Sequence, residues 1–185
     1  MERNKIKRMV GIAILIAIVI VLQLLGQFIK LGPVSITLVL LPIVVGAAVY
    51  GPSAGAILGL AFSIVVLLQP DTAFFYGMNV FGTVVTVIVK GTMSGWLAGL
   101  TYRAFAAKRP TLGVALAAVV CPIVNSGLFF LGCLVFFAEP LAATGIENVV
   151  MHVITAFIGF NFIAEFLTNV LCCPVIVRLL HAIKN

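Results

Sequence analysis

Charge is the scarcest property of this sequence. Only 9% of its 185 residues are Asp, Glu, Lys or Arg, whereas 63% are hydrophobic. A soluble domain typically carries about 25% charged residues, so this chain has too few charges to cover a surface that faces water. The composition therefore excludes an ordinary soluble protein and predicts a protein whose main solvent is the lipid bilayer.

Acidic residues are rarer than basic ones, with 5 against 11, which gives a formal net charge of +6. A basic excess is also typical of nucleic-acid-binding proteins, but no basic stripe with interleaved aromatic residues occurs here. We therefore expect no nucleic-acid partner. Membrane topology explains the excess better, because basic residues concentrate in cytoplasmic loops.

The motifs of several enzyme classes are also missing. No Walker lysine motif occurs, so the chain is not expected to hydrolyse ATP itself. Neither HExxH nor a GxSxG motif with a partnered histidine is found. The four cysteines lie in apolar segments without a CxxC pair, which argues against a disulfide framework or a metal site. We predict a protein that is not an enzyme and holds no cofactor.

Long apolar runs are what the sequence has in abundance. They form six segments, at about 9–29, 35–50, 52–68, 78–105, 112–137 and 149–182. The runs are continuous rather than alternating, which predicts helices and not a β-barrel. The second and third are short for a bilayer that takes roughly 20 helical residues to cross, so they form either two compact spans, which we favour, or one hairpin. We predict an all-α fold, an integral membrane bundle of six transmembrane helices in a single domain, 1–185.

Basic residues mark one end of these helices. They lie before the first span, around the loop between the fourth and fifth spans, and towards the end of the sixth: Arg3, Lys5, Lys7, Arg8, Arg103, Lys108, Arg109, Arg178 and Lys184. By the positive-inside rule, both termini then lie in the cytoplasm, in a multi-pass protein of the cell membrane. The first span is too long for a cleaved signal peptide, and no A-x-A cleavage site follows it.

Two charged residues lie inside the apolar segments, Lys90 in the fourth span and Glu165 in the sixth. A charge near the bilayer centre costs on the order of 2.5–3.5 kcal/mol, so such residues face a bundle interior, a partner or a ligand. Each precedes a basic residue, Arg103 or Arg178, by the same number of positions, equivalent to roughly 20 Å of helix. We therefore expect the two charges to lie at similar depth and to meet if their helices are neighbours.

Asparagines surround these charges. Asn161, Glu165 and Asn169 follow an i, i+4, i+8 spacing, which puts three polar groups on one face of the sixth span. Asn125 adds a polar group in the fifth span, and Asn79 lies at the start of the fourth. Such a stripe has no evident reason to face lipid.

Two interpretations of this polar set stay open. In the structural one, Lys90 and Glu165 neutralise each other and the asparagines hydrogen-bond across helices. In the functional one, the same groups line a solute site that opens outward, with Lys90 receiving an anionic group. The aromatic loop at 69–76 is either an interfacial belt or a lid over that site. The candidate solute-binding residues are Asn79, Lys90, Asn125, Asn161 and Glu165.

Small residues recur every four positions in three spans, a spacing that lets membrane helices pack closely. In the fourth span we expect them to serve packing within the chain. The first span is an end helix, so its stripe could serve a partner protein. The stripes are Ala13-x-x-x-Ala17; Gly51, Gly55, Gly59 and Ser63; and Gly91, Gly95 and Gly99.

In this order, the motifs resemble those of the substrate-binding S components of energy-coupling factor (ECF) transporters. The likeness spans nearly the whole chain. Its motifs are Ala13-x-x-x-Ala17; Pro42-Ile43-Val44-Val45-Gly46 followed by Tyr50-Gly51-Pro52-Ser53-Ala54-Gly55 and Gly59; Lys90-Gly91 with Gly95 and Gly99; and Asn161-x-x-x-Glu165.

The resemblance implies a function. An S component captures a vitamin or related micronutrient at the outer face, under loops after the first, third and fifth spans. It then associates with a transmembrane coupling subunit and two cytoplasmic ATPases, and Ala13 and Ala17 match the signature by which family members dock on that subunit. Pantothenate is our first choice of solute, with riboflavin, folate, biotin and niacin open. The alternatives are a structural membrane subunit without a solute and an autonomous small transporter.

Overall fold

A computed structural model describes residues 2–26, 30–31, 34–35, 39–143, 145 and 148–184. These residues are helical except for turns and one antiparallel pair of two-residue strands, β1 (Lys30–Leu31) and β2 (Val34–Ser35). The helical fold class predicted from the continuous apolar runs is confirmed. Parts of the first and second predicted spans, at 27–29 and 36–38, lie outside the described residues.

Helices follow one another with short breaks. Gly51 ends one helix with a positive φ of 92°, and Pro52 opens the next at a position where its missing N–H costs nothing. The helices are α1 (Glu2–Gly26), α2 (Leu40–Tyr50), α3 (Pro52–Leu67), α4 (Ala73–Met78), α5 (Val80–Ala106), α6 (Pro110–Gly132), α7 (Ala138–Ala143), α8 (Val149–His152), α9 (Phe160–Leu171) and α10 (Cys173–Lys184). A π-helical turn, Cys133–Phe137, joins α6 to α7, and a second, Val153–Gly159, joins α8 to α9.

By length and composition, three helices in the described parts of the chain can cross a membrane: Arg3–Gly26, Val80–Ala106 and the continuous helix Pro110–Ala143. A fourth is possible if α3 and the segment Pro70–Met78, bent by 75°, are one span. The helix α2 has 11 residues, about 16 Å at 1.5 Å per residue. The sixth predicted span is divided into α8, a π-helical turn, α9 and α10. By this criterion the described residues contain three or four candidate spans, and not clearly the six predicted.

The main apolar core surrounds α2. Leu40, Ile43 and Val44 of this helix are fully buried, and they belong to one cluster with Val19 of α1 and Leu58 of α3. A second cluster lies where α5 begins and α6 runs into α7, and its buried members are Cys133, Phe137, Leu141 and Val153. Along α6, the polar residue Asn125 lies between Cys121 of the first cluster and Cys133 of the second.

Glycines bring α3 and α5 into backbone contact. A Cβ added at Gly55 would collide with the carbonyl oxygen of Gly95, and one added at Gly59 would collide with that of Gly91. The Ser63 hydroxyl also lies 2.8 Å from the carbonyl oxygen of Val87 in α5. The prediction that the small residues of the fourth span serve packing within the chain is confirmed, and those of the third span are their partners.

Candidate functional site

Lys90 lies between α5 and α6. Its Nζ is 4.6 Å from the centroid of the Phe129 ring, a cation–π contact. Glu165 of α9 lies within electrostatic range of the same ammonium. Because an ammonium has three hydrogen-bond donors and a ring face attracts charge without offering a lone pair, this contact leaves Lys90 able to bind an oxygen anion.

Glu165 is almost completely buried, with 2% of its surface exposed. Its Oε2 accepts a hydrogen bond of 3.3 Å from Asn125 Nδ2 in α6. Its backbone carbonyl oxygen accepts another, of 2.9 Å, from Asn169 Nδ2 in the next turn of α9. The carboxylate is therefore held at the α6–α9 interface by an amide from a neighbouring helix, as a buried charge requires.

Both charged residues contact side chains on one face of α6. Cys121, Asn125, Phe129 and Cys133 follow one another at four-residue intervals and so share this face. Glu165 bonds Asn125, whereas Lys90 contacts Phe129, one helical turn further along this face. Glu165 also interacts electrostatically with Lys90. No group of three or more His, Cys, Asp or Glu that could hold a metal occurs among the described residues.

Four buried polar atoms have no hydrogen-bond partner within the described part of the chain, and three of them belong to residues near the charges. They are Thr86 Oγ1, Thr92 Oγ1, Asn125 Oδ1 and Asn169 Oδ1, all buried. Thr86 lies one turn along α5 from Lys90, and both asparagines bond Glu165. An unsatisfied buried polar group costs about 1–3 kcal/mol, so this region can gain free energy from a ligand that supplies hydrogen bonds.

Further aromatic rings pack around Phe129, the ring that Lys90 contacts. Phe75 of α4 packs edge-on against Phe129, with 5.6 Å between ring centroids, and lies 5.3 Å from Phe137. The aromatic loop at 69–76, predicted to be a belt or a lid, therefore sends one ring into the bundle. Phe74, its neighbour in sequence, is 53% exposed. Phe129 was not among the residues predicted for the site, although its spacing of four residues from Asn125 was a signal.

Two candidate residues take other positions. Asn79 caps α5, because its Oδ1 accepts a hydrogen bond of 2.8 Å from the backbone N–H of Gly82. Asn161 belongs to α9, one turn before Glu165, but its side chain lies outside what the structure describes. The described geometry therefore groups Lys90, Asn125 and Glu165, adds Asn169, and places Asn79 at a helix terminus.

Ala13 and Ala17 lie on an exposed face of α1, which we call the alanine face. The helical period adds Ile6, Val10, Ile20 and Leu24 to this face. Val19, fully buried, lies on the opposite side of the helix. Two contacts of α1 with the bundle are side-chain hydrogen bonds, from Arg8 to the carbonyl oxygen of Tyr50 (3.0 Å) and from Gln23 to Gln69 (3.0 Å). The two alanines thus lie on a face that the described bundle does not cover.

Comparison with known proteins agrees with these features. The family model of the ECF transporter substrate-specific component matches residues 7–179. The pantothenic acid transporter PanT of Lactococcus lactis subsp. cremoris (strain MG1363) is 26% identical over an alignment of 199 residues that covers 100% of this chain and 99% of the relative. No solved structure matches the chain significantly. The chain belongs to the family of ECF transporter substrate-specific components, the family that its sequence motifs resemble.

Proposed function

We propose that this membrane protein binds pantothenate, or a closely related carboxylate, as the solute-binding subunit of an ATP-driven importer. The observation that carries the proposal is the environment of Lys90, whose ammonium contacts the Phe129 ring in the interior of an apolar bundle. A carboxylate is the natural ligand for a cation in such a place. The relative named as a pantothenic acid transporter supports pantothenate, which is a carboxylate with an amide and two hydroxyl groups.

Glu165 is the charge that could compete with a solute for Lys90. It bonds Asn125, one turn along α6 from the ring that Lys90 contacts. In the proposed site, Glu165 moderates the cost of burying the cation, and the solute carboxylate bonds the ammonium directly. The structural and functional interpretations of this pair are therefore compatible.

The solute proposal is tested by replacing Lys90 with methionine, which keeps the length of the side chain and removes its charge. Truncating one partner of a buried charge pair costs 2–5 kcal/mol or more, so we expect pantothenate to bind about 30-fold more weakly or worse. The measurement is isothermal titration calorimetry on the purified protein in detergent. The matched control is Lys108→Met, in the exposed loop after α5, which is expected to bind as the wild type does. Equal affinity of the Lys90 variant would contradict the proposed site.

We also propose six crossings of the cell membrane with both termini in the cytoplasm. Basic residues support this arrangement, because they lie at the start of α1, at the end of α5, in the loop after it and in α10. On this proposal α2 and α3 cross as two compact spans, and α8 to α10 form the sixth. A C-terminal green fluorescent protein fusion should fluoresce, and a C-terminal alkaline phosphatase fusion should be inactive. The opposite result would reverse the orientation of the C-terminus.

The alanine face is the proposed contact with a transmembrane coupling subunit that works with two cytoplasmic ATPases. Small residues on an exposed membrane helix let a partner helix approach closely. We expect Ala13→Leu to keep pantothenate binding and to lose both co-purification with the coupling subunit and ATP-dependent uptake. The matched control is Ala104→Leu, at an exposed position on α5. Pantothenate uptake by liposomes that contain this chain alone would instead show an autonomous transporter.

A further inference from the structure

We propose that Asn125 is a specificity-determining residue, which selects solutes carrying an N–H or O–H donor about one helical turn from their carboxylate, and that Glu165 orients it. The inference rests on the proposed function, because it concerns the same site. It assigns the two buried side chains different tasks: Asn125 contacts the solute, whereas Glu165 is a positioning residue.

The chemistry of Glu165 fixes which way Asn125 points. An ionised carboxylate only accepts hydrogen bonds, so Asn125 must turn its Nδ2 towards Glu165 Oε2, as observed at 3.3 Å. Its Oδ1 then points away from the carboxylate. That oxygen is buried and has no partner among the described residues. Asn125 therefore presents an acceptor, and only a donor can satisfy it.

The place of this acceptor relative to Lys90 follows from α6. Phe129, whose ring contacts the Lys90 ammonium, lies one turn from Asn125 on the same face. Residues four apart on a helix have Cβ atoms about 5–6 Å apart. A solute whose carboxylate bonds Lys90 therefore reaches Asn125 if it has a donor a few bonds away. Pantothenate has such a donor, because its amide N–H is two methylene groups from its carboxylate.

Asn169 is oriented by the same residue. Its Nδ2 donates to the backbone carbonyl oxygen of Glu165, which also can only accept, and its Oδ1 is buried without a partner in the described structure. Asn169 lies one turn from Glu165 on α9, and we assign it no contact with the solute. The Asn169 amide oxygen is therefore a second buried acceptor close to Glu165.

The test compares pantothenate with an analogue that is N-methylated at the amide and so keeps the carboxylate but lacks the N–H. Both are titrated by calorimetry into the wild type and into Asn125→Leu, a change of similar volume. We expect the wild type to bind the analogue about tenfold more weakly or worse than pantothenate, since a buried acceptor is then left unpaired. Asn125→Leu should bind both equally, within about threefold, because it no longer contains the acceptor that tells them apart.

Glu165→Gln tests the positioning role and covers the case in which Asn125→Leu does not fold. Glutamine keeps the shape of the side chain, but its amide can either accept from Asn125 or donate to it, so Asn125 is free to turn over. We expect Glu165→Gln to bind pantothenate and to discriminate less between the two compounds than the wild type does. A purely structural role would change the affinity for both compounds alike.

The outcomes separate the two proposals. If the wild type does not bind pantothenate, both the proposed function and this inference are overturned. If the wild type binds pantothenate in a Lys90-dependent way but binds the analogue equally well, the inference is overturned and the function stands. If Asn125→Leu and Glu165→Gln both discriminate as the wild type does, a group other than Asn125 selects the donor and the inference is again overturned.

Discussion

Replacing Gly95 with alanine should loosen the contact between α3 and α5. The added methyl group would collide with the carbonyl oxygen of Gly55 and would lie 3.0 Å from Cγ2 of Ile43. A rotamer change could move the Ile43 side chain, but the Gly55 oxygen belongs to the backbone. The two helices must therefore move apart along their closest contact.

The size of the effect follows from two opposing terms. Alanine favours a helix over glycine by about 1 kcal/mol, whereas overpacking a tight contact costs about 1–3 kcal/mol. The control Gly127→Ala isolates the second term. Gly127 also lies inside a helix, α6, and nothing lies within 4 Å of a Cβ added there. Since both variants gain the same helix propensity, the difference between them measures the cost of packing.

We expect Gly95→Ala to be less stable than Gly127→Ala by about 1–3 kcal/mol. At about 2–4 °C per kcal/mol, its midpoint of thermal unfolding should be lower by roughly 2–12 °C. The assay is thermal unfolding of the purified proteins in the same detergent. If Gly95→Ala unfolds at or above the midpoint of Gly127→Ala, the close approach of the two backbones is not what holds α3 on α5.

Substitutions at two further positions separate stability from solute binding. Asn79→Ala should lower the free energy of unfolding by about 1 kcal/mol because α5 loses its N-cap, whereas Asn79→Asp keeps the capping oxygen and should match the wild type in both thermal unfolding and pantothenate affinity. Gln23→Leu removes the side-chain bond to Gln69, and we expect a loss of about 1 kcal/mol in thermal unfolding with unchanged affinity in calorimetry. A weaker affinity in either Asn79→Asp or Gln23→Leu would place that side chain in the solute site.

Regular spacing made the contact between α3 and α5 predictable. The spacing of four residues separates Gly55 from Gly59 in α3 and Gly91 from Gly95 in α5. Residues at this spacing lie on one face of a helix, whatever the rest of the fold is. Two helices that each carry such a stripe can pack closely against each other, as α3 and α5 do. The position of α2 was less predictable, because its continuous apolar sequence does not distinguish a short membrane span from a buried core helix.

Counting residues does not by itself fix the depth of Glu165. The count from Glu165 to Arg178 assumes one continuous helix, but α9 ends at Leu171 and α10 begins at Cys173. A rise of 1.5 Å per residue does not hold across such a break. The contact between Lys90 and Phe129 was equally out of reach, because it depends on how α5 and α6 are rotated against each other, and local sequence does not encode that rotation.

The exposure of one face of α1 has a consequence for how such a protein can change over generations. Its alanine face looks away from the bundle, whereas the residues that we assign to the solute lie on α5, α6 and α9. On the proposed assignments, mutations that alter the choice of solute would fall on different helices from mutations that alter the choice of partner. A lineage could then acquire a new nutrient while the proposed contact with the coupling subunit stays unchanged.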